Sequence, residues 1–268
     1  MKISLILSTY ERPHALRAVL GSIERQTRQP DEILIGDDGS GLETAAVIEA
    51  AVGRGLNIRR CWQPHDGYRL GRMRNMCAAA AAGEYLVIID GDILLHAEYL
   101  ADHATAARPG FFVQGSRALL DAAATEEAIS RDAYWPSFFA SGINNRKNLI
   151  RSRTLSRLFS KESDGLKGIR TCNFALWRND FARVNGFNED FVGWGREDSE
   201  FVNRLLNAGV RRFNLRFAGL GCHLYHPPQS RVNLERNDAL LAESQKQGAS
   251  SCARGLNLHL SGENGKES

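Results

Sequence analysis

The sequence has few cysteines, and their spacing matches no known structural unit. Five cysteines are scattered over 268 residues, and no two of them form a Cys-x-x-Cys pattern. An odd and scattered set argues against a disulfide framework and against a structural zinc site. The sequence therefore indicates a protein from a reducing compartment.

Long apolar runs and a strong charge imbalance are missing as well. No apolar run approaches the roughly 20 residues that cross a bilayer, and residues 3–7 are too few for the apolar core of a signal peptide. The net charge of +3 is too small to indicate nucleic-acid binding. We expect a cytoplasmic protein that binds no nucleic acid and whose contact with a membrane, if it has one, is peripheral.

Strand and helix patterns alternate with short connections through the first half of the chain. In order, beginning with a strand, they cover residues 3–8, 13–23, 32–36, 44–52, 58–62, 71–82 and 84–89. The sixth segment is an alanine-rich helix that Gly83 would close as its C′ residue. Such alternation is typical of βαβ units, so the sequence predicts an α/β fold with a mostly parallel central sheet flanked by helices.

The apolar strand at 84–89 ends in Asp90-Gly91-Asp92. Open α/β sheets bind their ligands in the crevice outside the carboxyl ends of the strands. Two negative charges buried so close together are costly unless a cation or a proton offsets them. Asp90 and Asp92 therefore favour a divalent metal that bridges to a phosphorylated substrate. An ordinary Asp-Gly turn is the alternative.

A second acidic pair falls on the same predicted sheet edge. Asp37 and Asp38 follow the second strand within the sequence DDGS, for which a turn is again the alternative. Residues 9–12 follow the first strand and offer the aromatic ring of Tyr10 for stacking a base. Together these segments indicate a site for a nucleotide and a metal.

Five segments of the first half share their order and spacing with a known family: 8–13 (STYERP), 37–40 (DDGS), 72–75 (RMRN), 83–85 (GEY) and 90–92 (DGD). They resemble the nucleotide-sugar-binding half of family-two glycosyltransferases of the GT-A fold. Residues 185–187 (NGF) and 193–198 (GWGRED) resemble the acceptor half of β-1,4-galactosyltransferases and bacterial chondroitin-type polymerases. The resemblance covers residues 1–118 and 168–230.

The resemblance implies roles on the donor side of the site. Three residues would line the nucleobase pocket: Thr9, Tyr10 and Arg12. Asp38 would accept a hydrogen bond from the uracil imide or contact the ribose, and Arg74 would help to hold the base or the phosphate. Glu11 stands where the family often has asparagine, which leaves the contacts of the base pocket open.

The same resemblance implies a metal site. Asp92 would be the main carboxylate ligand, and Asp90 would contact the ribose and the edge of the metal. Related enzymes supply a histidine ligand where this chain has His223 and His226, which are followed by two prolines. We favour His226, with ligation by His223 and a purely structural histidine as the alternatives. A histidine beside carboxylates suits Mn²⁺ somewhat better than Mg²⁺.

The segment GWGRED would supply the acceptor side. Trp194 lies between two glycines, which let a sugar ring approach the indole closely. By resemblance Asp198 is the general base that removes the proton of the acceptor, and Glu197 binds acceptor hydroxyls. A neighbouring carboxylate raises the proton affinity of one member of such a pair, so Glu197 stays an alternative base. Two acids in the first turn of a helix, with a core tryptophan, are the structural alternative.

Residues 133–161 include several basic residues but no acidic one. Apolar residues interleave with the basic ones over 146–161 at approximately helical spacing, which predicts a basic amphipathic helix. Such a helix can lie on an anionic membrane or bind a phosphorylated acceptor. A solvated helix face packed on its own domain is the alternative.

The resemblance divides the chain into four segments. Residues 1–118 would be the nucleotide-sugar-binding half, 119–167 an inserted helical or loop region, 168–232 the acceptor-binding and catalytic half of the same domain, and 233–268 a polar tail. The last eight residues of the tail are expected to be disordered.

The implied enzyme is a metal-dependent inverting glycosyltransferase. It would move a hexose or N-acetylhexosamine from a nucleotide sugar, expected to be UDP-linked, to a growing glycan such as lipopolysaccharide core or capsule. The acceptor would be a glycan or a lipid-linked glycan. One alternative is an inactive module that binds nucleotide sugars or glycans. Another is a sugar nucleotidyltransferase, although residues 8–13 lack the glycine and lysine of its phosphate loop.

Overall fold

The structure is a computed structural model that describes residues 1–131 and 135–260. The disorder predicted for 261–268 falls outside the described residues. The described strands are β1 (Ile3–Thr9), β2 (Glu32–Asp37), β3 (Ile58–Trp62), β4 (Tyr85–Asp90), β5 (Ile93–Leu95), β6 (Phe111–Gln114), β7 (Arg117–Leu120), β8 (Ile143–Asn144), β9 (Lys161–Ser163), β10 (Asn173–Trp177), β11 (Arg211–Asn214) and β12 (Gly221–His223). The described α-helices are α1 (Pro13–Glu24), α2 (Leu42–Gly53), α3 (Leu70–Ala80), α4 (Tyr99–Ala106), α5 (Ala122–Ser130), α6 (Arg153–Phe159), α7 (Arg178–Arg183), α8 (Glu197–Asn207) and α9 (Leu234–Lys246).

The central sheet has eight strands in the order β3-β2-β1-β4-β10-β6-β11-β9. Its first four strands pair in parallel, as the βαβ pattern predicts. In the remaining part only β6 and β11 pair in parallel, and β10 and β9 run antiparallel to their neighbours. The predicted α/β fold is confirmed, and its sheet is mixed because the second half of the chain adds the antiparallel strands.

Apolar side chains cover both faces of this sheet. Strand β1 sends Leu5 and Leu7 into a core shared with α1 and α4, and Ile6 into a core shared with α3, α7 and α8. Parallel strands that are buried on both faces read as nearly continuous apolar runs. This is why the strands of the first half are plain in the sequence.

A second, small sheet has the strand order β5-β12-β7-β8. Strand β12 pairs with β5 so that His223 lies opposite Ile93. The next residue, Leu224, donates its N–H to the backbone oxygen of Asp92 at 2.9 Å. The small sheet therefore brings a histidine to the end of β4.

The end of α3 differs from the prediction. The helix stops at Ala80, and Ala81 is already extended with φ −72° and ψ 133°, so Gly83 is not a C′ residue. The N–H of Gly83 donates instead to the Ser4 hydroxyl at 2.9 Å. A Cβ at position 83 would lie 2.4 Å from that oxygen. Glycine fits here because β1 passes too close for a side chain.

Residues 146–161 do not form the single amphipathic helix that the sequence predicts. They fold as a 3₁₀ turn (Arg146–Leu149), an extended link and the short helix α6. The chain restarts as a helix at Ser152, whose hydroxyl accepts the N–H of Leu155 at 3.3 Å. Strand β9 follows α6 and pairs with β11 at the edge of the central sheet. Part of the segment 119–167 is thus built into the main sheet.

The described part of the tail is polar but ordered into a helix. Helix α9 packs on α8, and its buried Asn237 donates to the backbone oxygen of Gly195 at 3.0 Å. This contact ties the tail to the segment GWGRED. Within the described ranges, none of the helices is both long and apolar enough to span a bilayer.

Candidate active site

The site forms where β1, β2 and β4 end side by side. The strand register pairs Ser8 with Asp90 and Thr9 with Asp37, so the acids predicted at one sheet edge do share it. At Gly91 the chain passes closely over β1, because a Cβ there would lie 2.4 Å from the backbone oxygen of Ser8. A cavity of about 1190 Å³ opens above this edge.

One end of the cavity presents a flat aromatic surface. The side chain of Tyr10 is 44% exposed. Its ring stacks on His65 with a centroid distance of 4.2 Å and an interplanar angle of 10°. Asp38 is buried beside them, and it accepts a hydrogen bond from the Gln63 side chain at 2.5 Å. This end can therefore stack a nucleobase and offer a carboxylate to its polar edge.

The structure brings Asp92, His223 and His226 together. One ligand atom from each residue lies within 4.8 Å of the other two. Nε2 of His223 is 3.5 Å from Oδ1 of Asp92, and Nε2 of His226 is 3.6 Å from Oδ2. Both histidines face the carboxylate, so the alternative His223 joins the favoured His226. Asp90 is not a member of this group, and its Oδ1 accepts from Arg74 at 2.8 Å.

The chemistry of these three side chains suits a divalent cation. Among the described residues, Oδ1 of Asp92 is buried without a hydrogen-bond partner, so the fold leaves it available. Burial, and next the charge of Arg117, lower the pKa of His223 to about 3. Its imidazole is therefore neutral at neutral pH, the form that ligates metals. One carboxylate oxygen and two imidazole nitrogens are a suitable donor set for Mn²⁺.

Arg12 lies between the aromatic surface and this cluster. Its Nη1 is 2.6 Å from Oδ2 of Asp92, and its Nη2 donates to the backbone oxygen of Tyr225 at 2.8 Å. The charge of Arg12 lies beside the carboxylate of the metal cluster, and its place in the nucleobase pocket stays a prediction. A guanidinium at this place can pair with phosphate.

Arg74 links the two sides of the cavity. Its buried guanidinium donates to Asp90 at 2.8 Å, to Asp198 at 3.2 Å and to the Thr171 hydroxyl at 2.6 Å. Burial alone would lower the pKa of Arg74, but the two carboxylates outweigh that effect and raise the pKa above its ordinary value. Arg74 is thus a permanent cation that positions two acids, and its predicted contact with the base or the phosphate stays a prediction.

Asp198 lies in the first turn of α8 with its side chain 27% exposed to the cavity. Thr171 donates its N–H to Oδ2 at 3.0 Å and its hydroxyl to Oδ1. With Arg74, three donors fix this carboxylate. A carboxylate has about four acceptor positions, so one remains for a substrate hydroxyl. A fixed and accessible carboxylate is what a general base requires.

Glu197 is more deeply buried than its neighbour. Its Oε2 accepts the N–H of Gly195 at 2.9 Å. Burial, and next the charge of Asp198, raise the pKa of Glu197 to about 7. The raised proton affinity expected for one member of the pair therefore falls on Glu197, which can donate a hydrogen bond to an acceptor hydroxyl when protonated.

Trp194 forms the rim of the cavity on the acceptor side. Its side chain is 38% exposed, and the guanidinium of Arg231 lies 5.4 Å from the ring centroid. Gly193, Gly195 and Arg196 have φ of +77°, +111° and +76°. This left-handed backbone holds the indole at the mouth of the cavity, where a sugar ring can stack on it.

The cavity is lined by every residue to which the resemblance gives a role: Thr9, Tyr10, Arg12, Asp38, Arg74, Asp90, Asp92, Trp194, Glu197, Asp198 and His226. Asp37, the other acid predicted at this edge, does not line it, because its buried carboxylate pairs with Arg60 at 2.5 Å. The individual roles given to them stay predictions. Sequence reasoning missed two residues that shape the site, His65 and Thr171. His65 follows β3, so its place at the end of a neighbouring strand was an available signal. No motif marks Thr171.

Comparison with known families agrees with this geometry. Residues 4–172 match Glycosyl transferase family 2, which is more than half of the chain. The chain belongs to glycosyl transferase family 2. Residues 155–227 of this glycosyltransferase also match the N-terminal domain of galactosyltransferase. The resemblance stated for each half is confirmed.

Curated relatives of the glycosyltransferase are larger proteins. Validoxylamine A glucosyltransferase of Streptomyces hygroscopicus subsp. limoneus is 32% identical, over 78% of this chain and 48% of its own length. Chondroitin synthase of Pasteurella multocida (strain Pm70) is 27% identical, over 87% of this chain and 26% of its own. Chondroitin synthase of Escherichia coli is 26% identical, over 77% of this chain and 32% of its own length. The chain spans about half or less of the length of these relatives.

Solved structures share the fold of the glycosyltransferase. S. aureus TarS superposes with a TM-score of 0.64 at 17% identity, over 92% of this chain and 41% of that chain. Residues 1–349 of TarS in complex with UDP match with the same TM-score and identity, over 92% of this chain and 68% of that one. At this identity the likeness shows the fold alone, and it confirms the predicted GT-A architecture.

Proposed function

We propose that this glycosyltransferase is metal-dependent and inverting, and that it moves a hexose or N-acetylhexosamine from a UDP-sugar to a hydroxyl of a growing glycan such as lipopolysaccharide core or capsule. The observation that carries the proposal is one cavity with complementary groups on its two sides. Asp92 and two histidines lie on the donor side, and Asp198 lies on the acceptor side.

The donor end suits a uridine nucleotide. Tyr10 with His65 offers the stacking surface, and Asp38 offers an acceptor for the uracil imide. The structural neighbour TarS has been solved with UDP and with UDP-GlcNAc, and a curated relative is a glucosyltransferase. The UDP-GlcNAc complex of TarS and the glucosyltransferase name of the relative together support a UDP-linked hexose or N-acetylhexosamine as the donor.

Asp92, His223 and His226 would hold Mn²⁺ or Mg²⁺. A divalent cation bound there supplies a Lewis acid that neutralises the charge developing on the departing diphosphate. Arg12, 2.6 Å from Asp92, adds a positive charge on the same side. Asp90 would contact the ribose and the edge of the metal, while Arg74 holds one of its two carboxylate oxygens.

Asp198 would accept the proton of the acceptor hydroxyl as that oxygen attacks the anomeric carbon of the donor sugar. The bond from the anomeric carbon to the diphosphate breaks, and UDP leaves. A single displacement inverts the anomeric configuration. Arg74 and Thr171 keep the oxygen of Asp198 in place for this step.

On the acceptor side, Trp194 would stack on the sugar that carries the reacting hydroxyl, and Glu197 would hydrogen-bond its neighbouring hydroxyls. We propose that the acceptor is a glycan or a lipid-linked glycan at the cytoplasmic face of a membrane. Residues 146–161 would make a peripheral contact with that membrane, as two short helical segments instead of one helix.

A panel of UDP-, GDP- and dTDP-sugars, assayed for nucleotide release with Mn²⁺ and with EDTA, tests the proposal. We expect UDP release from a UDP-hexose or UDP-N-acetylhexosamine, loss of turnover in EDTA and recovery on adding Mn²⁺. Full turnover in EDTA would refute the metal requirement. Tight UDP-sugar binding without turnover would identify an inactive binding module, and formation of UTP from the UDP-sugar on adding pyrophosphate would identify a nucleotidyltransferase.

A further inference from the structure

A second cavity, of about 590 Å³, lies apart from the catalytic one. It is lined by residues that include members of α4, α6 and β11, and it shares no lining residue with the catalytic cavity. It therefore has no part in the donor or acceptor contacts of the catalytic cavity.

Positive charge exceeds negative charge in this cavity. Four arginines line it (Arg108, Arg151, Arg153 and Arg157) against two carboxylates (Glu98 and Asp102). Arg151 donates from Nε and Nη2 to the two carboxylate oxygens of Asp102, at 2.9 and 2.7 Å. Its Nη2 also lies 3.5 Å from Oε2 of Glu98. The two carboxylates are thus engaged by one arginine. Arg153 and Arg157 form no ion pair with any of the residues that the structure describes.

One face of α6 points into the cavity. Arg153, Ser156, Arg157 and Ser160 are spaced three and four residues apart, and all four line it. The two hydroxyls share a hydrogen bond at 3.3 Å, and Ser160 also donates to the backbone oxygen of Arg216 at 3.4 Å. The two guanidinium groups are therefore the donors on this face that suit the oxygens of a phosphate group.

The cavity also has apolar walls and an apolar rim. Phe213, Leu215 and Phe217 line it. The rim consists of Leu158 and Phe159 of α6, which do not line the cavity but follow Arg157, which does. They are 72% and 56% exposed, and the ring of Phe159 lies 5.6 Å from that of Phe217. A ligand with a phosphate and an adjoining hydrocarbon part would satisfy both kinds of surface, whereas a free phosphate would leave the apolar rim in water.

We propose that this cavity binds the phosphate headgroup of an anionic membrane lipid. Arg153 and Arg157 contact the phosphate, and Leu158 and Phe159 enter the boundary of the acyl chains. The surrounding segment 133–161 carries no acidic residue to oppose an anionic surface. The proposal rests on the peripheral membrane contact of the proposed function, names its site, and is independent of the sugar-transfer chemistry.

Co-sedimentation of the full chain with vesicles tests the proposal, using phosphatidylcholine alone and phosphatidylcholine mixed with phosphatidylglycerol. We expect binding to the anionic vesicles only. The double variant Arg153→Gln/Arg157→Gln should bind them about 30-fold more weakly, as expected for two basic side chains at a lipid surface. The double variant Arg183→Gln/Arg236→Gln removes the same charge from exposed positions outside both cavities, and it should bind like the wild type.

A variant of the apolar rim, Leu158→Gln, separates a lipid from a free phosphate. It should weaken vesicle binding several-fold and leave any binding of inorganic phosphate unchanged. Equal binding to neutral and anionic vesicles, or equal losses in the two double variants, would overturn the proposal. So would saturable binding of inorganic phosphate without association with vesicles. UDP affinity, expected to be unchanged in all three variants, reports that the catalytic half is intact, so a failure here leaves the proposed transferase activity untouched.

Discussion

The two sides of the catalytic cavity are built in different ways. On the donor side the acids follow strands β2 and β4, whose places are set by the hydrogen-bond ladder of the sheet. On the acceptor side Trp194 and Asp198 lie on a left-handed loop and the first turn of a helix. Side-chain contacts from Thr171, Arg74 and Asn237 hold that region. The backbone fixes the donor side, and side chains fix the acceptor side.

Removing the carboxylate of Asp92 should have the largest effect on activity and a small effect on folding. We expect Asp92→Asn to lower Mn²⁺-dependent turnover by about three orders of magnitude or more, because the cation loses its one anionic ligand. The melting temperature should stay near that of the wild type, since the sheet holds the backbone. Turnover as a function of Mn²⁺ concentration, with thermal unfolding, measures both.

Asp164→Asn is the matched control for this change, because Asp164 is an exposed acid outside the catalytic cavity. Its turnover should equal that of the wild type. Undiminished Mn²⁺-dependent turnover in Asp92→Asn would remove Asp92 from the metal site.

Asp198→Asn should spare donor binding and lower the rate by roughly two to four orders of magnitude, the contribution of a general base. UDP affinity by calorimetry should be unchanged, because the donor contacts lie on the other side of the cavity. Near-normal turnover would exclude Asp198 as the base.

Glu197→Gln should cost less activity than Asp198→Asn, and the opposite order would assign the base to Glu197.

Tyr10→Ala tests the aromatic surface of the donor side. Loss of one stacking contact to a base is worth roughly 1–3 kcal/mol, so we expect UDP affinity to fall by about tenfold or more. The rate at saturating donor should change little. Trp62→Ala removes an exposed aromatic ring outside the catalytic cavity and should leave UDP affinity unchanged. Equal affinities in the two variants would show that Tyr10 does not stack on the base.

Glu197→Gln should change the pH dependence of stability. The pKa of Glu197 is raised in the folded protein from 4.5 to about 7. A raised carboxyl pKa contributes stability below pH 4.5 that is lost as the pH rises through 7, because the folded state then has to bury the charge. Glu197→Gln has no carboxyl to ionise at this position, so it does not lose this stability as the pH rises. Its melting temperature relative to the wild type should therefore rise by a few degrees between pH 5 and pH 8.

Thermal unfolding in EDTA at the two pH values measures this difference. Glu235→Gln removes an exposed carboxyl from α9 and should show no such change with pH. A constant difference between Glu197→Gln and the wild type at both pH values would contradict the raised pKa.

The strands that carry the donor-side acids could be predicted from the sequence, whereas the partners of Arg74 could not, and the reason is physical. Strands β1, β2 and β4 are marked by their own apolar residues, and the acids that follow them must meet wherever parallel strands end together. Arg74 finds its partners 16 and 124 residues away, and such pairing leaves no periodic pattern. The division of 146–161 into two segments was missed because helical spacing does not reveal a new N-cap at Ser152. The sequence predicted Gly83 as the C′ residue of α3. Glycine is required there because β1 passes close by, and such a tertiary contact leaves no pattern in the sequence.

The shared guanidinium of Arg74 also bears on how such enzymes can be recombined. A chimaera that keeps residues 1–118 and receives 168–232 from another transferase keeps the pair of Arg74 with Asp90. It must still bring a carboxylate and a hydroxyl to this arginine, or the buried Nη1 loses both of its partners. Residues 1–118 and residues 168–232 therefore cannot be exchanged independently between transferases. Redesign of acceptor choice is better directed at the indole rim, which has its own backbone support and no bond to Arg74.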